Sequence, residues 1–160
     1  MVAALRAATD SEPQVAGKPA PTLLTDALGR GRFHNPLVVG DRLDTDIAGA
    51  HEAGVESLLV MTGVSSLPEL VAAGPGERPT WIGQDLTVLA RPGRAAQEED
   101  GRWRAGPWTA EVDDGRLVVS GSGAEPGDAD AWWTTVAAAG WDHLDRTGSP
   151  VDPGDLTGPG

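Results

Sequence analysis

Cysteine is absent from the 160 residues, which excludes disulfides and thiolate metal sites and suits a reducing compartment such as the cytoplasm. Basic residues are scarce: 12 lysines and arginines stand against 24 aspartates and glutamates, a formal net charge of −12. A nucleic-acid backbone or an anionic membrane demands clustered cations, so neither is expected as the main partner. No apolar run approaches the ~18 residues of a membrane helix. The start, Met1 to Arg6, has too short an apolar stretch for a signal peptide. No internal repeat is found. A soluble, cytoplasmic protein is expected.

Glycine (22) and proline (13) are plentiful and gather toward the end. The first ninety residues read instead as alternating helices and strands. Helical spacing covers Met1 to Thr9, and Pro21 opens a helix with Leu23, Leu24, Ala27 and Leu28 on one side. Pro36 to Val39 is a short continuous apolar run, the pattern of a strand buried on both faces. A helix from about Asp46 to Ala53, closed by Gly54, leads to a strand over 56–61. Ser66 caps a helix through Ala73, and a short strand (80–82) and a short helix (85–90) follow. This alternation implies a parallel sheet with flanking helices, whose ligands gather at the carboxyl ends of the strands. Asp41 and Thr62-Gly63 belong to that rim.

The sequence Gly40-Asp41-Arg42-Leu43-Asp44-Thr45-Asp46 ends the first strand. Mg²⁺ prefers oxygen ligands, keeps several waters, and is usually held by one or two carboxylates. Asp41 at the strand tip suits direct ligation; Asp46, one helical turn on, suits ligation through water or ordering of the loop. Helix capping is the simpler role for Asp44 and Thr45. Lys18, fixed between Gly17 and Pro19, can reach the strand ends and neutralise a phosphoryl group or an aspartate.

In this order and spacing, Val15-Ala16-Gly17-Lys18-Pro19 and Gly40 to Ile47 resemble the lysine and acidic motifs of haloacid-dehalogenase-type (HAD) phosphatases of class IIA. Leu59 to Ser65 and Pro79 to Leu86 are similar to that branch's later segments. The resemblance covers roughly residues 1 to 90 and implies a partial, Rossmann-type HAD core. It implies a Mg²⁺-dependent phosphatase acting on a small phosphorylated metabolite through an aspartyl-phosphate. Lys18 would be catalytic and Asp41 and Asp46 would serve the metal, with Gly40, Arg42, Asp44 and Thr45 ordering the loop.

The resemblance also places the nucleophile in an Asp-x-Asp motif ahead of residue 1. The two spellings present, Asp44-Thr45-Asp46 and Asp128-Ala129-Asp130, lie elsewhere. This chain alone is therefore expected to be inactive, the carboxyl-terminal part of an enzyme whose complementing half, or a second copy, is a partner. The alternative is a non-enzymatic binding or assembly module, its interface made by tryptophan-rich contacts, or a pseudoenzyme remnant. Residues 91–101 read as a linker. Residues 102–146 read as a small α+β module with a tryptophan-rich helix, resembling the acetyltransferase-like (GNAT-like) extension of some phosphatases of this branch. Residues 147–160 are expected to be disordered.

Overall fold

The computed structural model describes residues 2–12 and 17–159; Val15 and Ala16 of the lysine motif lie outside them. Helix α1 (Val2–Thr9) buries no residue. Helix α2 (Thr22–Gly29) follows Pro21, as the proline predicts. Strands β1 (Leu37–Gly40), β2 (Glu56–Val60) and β3 (Trp81–Gly83) form a parallel sheet in the order β1-β2-β3. The mixed α/β class with a parallel sheet is thus the one the alternation implies.

Continuous apolarity means burial only for the central strand. In β2, Ser57 to Val60 are all buried. Strand β1, expected to be buried on both faces, is not: Leu37 and Val39 keep 37% and 38% exposure. Among the described residues it pairs with β2 alone and lies at the sheet edge, so no described strand covers its other side.

After β1 the chain enters a wide π-type turn over Leu43–Ile47 and then helix α3 (Ala48–Glu52). The helical region therefore starts before Asp46. Gly54, at φ 66°, ends it in the left-handed conformation. Helix α4 (Leu67–Val71) begins with a reciprocal cap: Ser66 Oγ accepts from the Glu69 N–H, and the Glu69 carboxylate accepts from the Ser66 N–H.

The carboxyl-terminal region is an antiparallel meander of β4 (Gln97–Glu99), β5 (Arg102–Ala105), β6 (Trp108–Asp113) and β7 (Arg116–Gly121). Residues 97–99, expected in the linker, instead pair with β5. Asp100 and Gly101 adopt φ of 52° and 77°, the twist a two-residue hairpin requires, and Asp114-Gly115 repeats it between β6 and β7.

Helix α5 (Asp128–Thr147) packs on β3 and α4 on one side and on β5 and β6 on the other. Trp132 and Trp133 are 3% and 8% exposed. The Trp133 indole N–H donates to Gln84 Oε1 at 2.6 Å, and that of Trp141 to the Leu70 carbonyl at 2.7 Å. One apolar cluster runs from Leu43 and Ile47 through Leu70 and Val71 to Trp132, Val136 and Leu117.

The expected disordered tail is a further correction. The Asp152 carbonyl accepts from the Leu117 N–H at 2.8 Å, and the Asp152 N–H donates to the Gly115 carbonyl at 2.9 Å. Val151 is 4% exposed, and the backbone of Gly158 lies against the Trp133 indole. The free edge of β7 and the face of Trp133 fix a segment whose composition alone would leave it unfolded. Trp133→Ala is expected to destabilise the protein by about 3–5 kcal/mol in urea unfolding, whereas Leu5→Ala on the exposed α1 should stay within about 0.5 kcal/mol.

Candidate active site

The site is built where β1 and β2 end side by side. Asp46 is its buried centre, 6% exposed. One of its oxygens accepts from the backbone N–H groups of Asp41 (3.3 Å) and Arg42 (3.2 Å); the other accepts from Lys18 Nζ at 2.5 Å. Lys18 is the only lysine in the chain. A buried carboxylate needs such partners to remain charged. Gly40 makes the arrangement sterically feasible, because a Cβ there would fall on the Asp46 carboxyl group.

Asp41 is placed differently. It is half-buried at the tip of β1, and its carboxylate accepts no hydrogen bond from the described residues. Its backbone is held: the Asp41 carbonyl accepts from the Ser65 N–H at 3.1 Å. Asp41 therefore offers free oxygen donors, while Asp46 is occupied in ordering the turn. Neither Asp44 nor Thr45 supplies a side-chain cap to the helical region. Asp44 instead receives a two-pronged bond from Arg42, at 3.0 and 2.7 Å, on the exposed face of the loop. This contact lowers the Asp44 pKa and raises that of Arg42.

Among the described residues no group of three or more His, Cys, Asp or Glu side chains is placed to hold a metal. The donor set near Asp41 still fits Mg²⁺, which takes one or two carboxylates and completes its shell with water and phosphate. The second Asp-x-Asp spelling is structural. Asp130 accepts from the Gln84 N–H and from Arg91, both at 2.7 Å, and Asp128 accepts from the Glu125 N–H and pairs with Arg94. Asp130 ties α5 to the end of β3, and Asp128 ties its first turn to the preceding loop and to Arg94. In the sequence, Gly63 is legible only as a rim residue and Ser65 only as the end of a segment similar to the family; their position just after the strand adjacent to β1 is the signal that marks them.

The family profile described as HAD-hydrolase-like matches residues 15–89, the segment that contains Lys18, Asp41, Asp46 and the parallel sheet. By sequence and fold alike, that segment belongs to the HAD hydrolases. D-Glycerol 3-phosphate phosphatase of Mycobacterium tuberculosis is 50% identical over 125 residues, 77% of this chain and 34% of its own length. Ribonucleotide monophosphatase NagD of Escherichia coli K12 is 40% identical over 73 residues, 44% of this chain and 28% of its own. The crystal structure of a glycerol phosphate phosphatase from Mycobacterium tuberculosis in complex with magnesium matches with a TM-score of 0.67 at 45% identity. It covers 89% of this chain and 41% of that one. The chain thus spans about a third of the length of these curated relatives, and the first likeness extends well beyond residues 15–89.

Lys18→Met would leave Asp46 buried without its cation. With Lys18 42% exposed, the expected destabilisation is about 1–2 kcal/mol in urea unfolding, below that of a fully buried pair. The Glu69 pKa is lowered chiefly by the Ser66 backbone N–H. A depressed carboxyl contributes stability above its unfolded pKa and loses it as pH falls through the folded value. Titration followed by carboxyl NMR should therefore place Asp44 and Glu69 below the usual carboxylate range, and Arg42→Ala should return Asp44 alone to it.

Proposed function

We propose that residues 1–90 supply the lysine and cation-binding part of a Mg²⁺-dependent phosphatase that hydrolyses a small phosphorylated metabolite. The observation that carries this reading is the Asp41 carboxylate, which accepts no hydrogen bond from the described residues, beside the Lys18–Asp46 pair at the carboxyl ends of parallel strands. Bound Mg²⁺ would balance negative charge on the phosphoryl group. Asp41 would be the side chain that holds the ion. Asp46 supports the metal site through the turn that it orders, and it orients the Lys18 ammonium toward the strand ends. There the ammonium balances charge on the phosphoryl group and on the aspartate that attacks phosphorus.

That nucleophile belongs to a strand carried outside this chain. Its attack expels the alcohol and leaves an aspartyl-phosphate, which water then hydrolyses. This chain alone is inactive in this reading. The uncovered edge of β1 and the apolar groove beside it, lined by Leu24, Leu28, Phe33 and Leu37, favour a second reading as a non-enzymatic assembly module, through the same edge.

The test mixes this chain with a polypeptide carrying the first portion of a homologous phosphatase, in Mg²⁺, with glycerol 3-phosphate or p-nitrophenyl phosphate as substrate. Phosphate release by the mixture, none by either part, and a loss on the order of 100-fold in Asp41→Asn are the expected results. Full activity of the Asp41→Asn mixture would refute the assigned role. Specific association without turnover would favour the assembly module.

A further inference from the structure

We propose that Gly63 and Ser65, on the loop after β2, are positioning residues for the Asp41 carboxylate, so that cation affinity depends on two residues that never touch the ion. This rests on the reading of Asp41 as the cation ligand.

Strands β1 and β2 are parallel neighbours, with Gly40 opposite Leu59. The chain segments leaving them therefore run side by side, Asp41 next to the loop of Thr62 to Ser66. A half-buried carboxylate that no described residue donates to would ordinarily sample several rotamers, and ordering it for a ligand opposes that freedom. Two contacts confine this one.

The first is steric. A Cβ at position 63 would fall within the Asp41 carboxyl group and against its Cβ, so the Asp41 side chain lies over the bare Cα of Gly63. Gly63 is solvent-exposed and its φ lies outside the left-handed region. Neither core packing nor backbone conformation therefore calls for glycine at this position; the space taken by Asp41 does.

The second contact fixes the backbone. The Ser65 N–H donates to the Asp41 carbonyl at 3.1 Å, and Ser65 Oγ accepts from the Leu43 N–H at 3.1 Å. One residue thereby clamps the acidic loop on both sides of Arg42. Val64, between the two positioning residues, is 61% exposed, so packing of that side chain does not hold the loop. The adjacent Ser66 serves α4 instead, through its bonds with Glu69.

The contact is tested first by a thermodynamic cycle on this chain. Gly63→Ala is expected to lower Tm by about 3–8 °C, and most of that loss should vanish in an Asp41→Gly background, where nothing remains to collide. An equal loss in both backgrounds would overturn the steric assignment. The consequence is then read from Mn²⁺ binding, followed by NMR line broadening well below Tm, because Mn²⁺ accepts the same oxygen donors. Gly63→Ala and Ser65→Ala should each weaken Mn²⁺ about 10-fold, and Ser65→Thr, which keeps the hydroxyl acceptor, should bind like the parent. If Asp41→Asn abolishes Mn²⁺ binding while both loop variants bind normally, the positioning role falls and the ligand reading stands. If the parent chain binds no Mn²⁺, or Asp41→Asn binds equally well, both fall.

Discussion

Each sheet has an apolar face that must be covered, and α5 covers both with side chains from one 20-residue helix. Trp132 and Trp133 meet edge to face, with ring centroids 4.8 Å apart at 88°, and buried indoles of this kind remove large apolar areas from water. The indole N–H groups of Trp133 and Trp141 are satisfied by the parallel-sheet region, through Gln84 and Leu70. Close approach matters as much. Gly140 brings the helix against Val71, where a Cβ would lie 2.7 Å from the valine Cβ. The meander and the three-stranded sheet therefore share one core, and removal of either would expose the helix.

The candidate site depends on that core indirectly. Leu43 and Ile47 anchor the π-type turn in the apolar cluster, which places Asp46 below the surface. Burial makes three donors necessary, and those donors draw in Lys18 and the N–H groups at the tip of β1. Asp41 is left at the rim with its oxygens uncommitted. The two carboxylates, five residues apart, thus have different tasks because one is enclosed and the other is not. Their neighbours Arg42 and Asp44 bond to each other in solvent, where an ion pair contributes little to stability.

Much of this was legible beforehand. The alternation of helices and strands, the turn glycines, the Ser66 cap and the pairing of Lys18 with an acidic loop follow from local patterns. The errors share a cause. Strand β1 has the apolarity of a central strand yet lies at an edge; residues 97–99 resemble a linker but complete a sheet; residues 151–158 resemble a disordered tail but pair with β7 and reach the Trp133 indole. In each case the outcome depends on which neighbour is present, and local composition carries no record of neighbours.

The sequence by itself determined most of the helices and strands of residues 1–90, which residues carry charge near a strand end, and the family of residues 15–89. Those properties follow from side-chain periodicity, capping chemistry and motif spacing along a single stretch of chain. Tertiary structure alone decided that Asp46 is buried and Asp41 free, that Gly63 lies under Asp41, and that α5 serves two sheets. These arrangements bring together residues far apart in the chain, such as Asp41 and Gly63 or Leu70 and Trp141. Burial and steric exclusion act on distance in space, which separation along the chain does not encode.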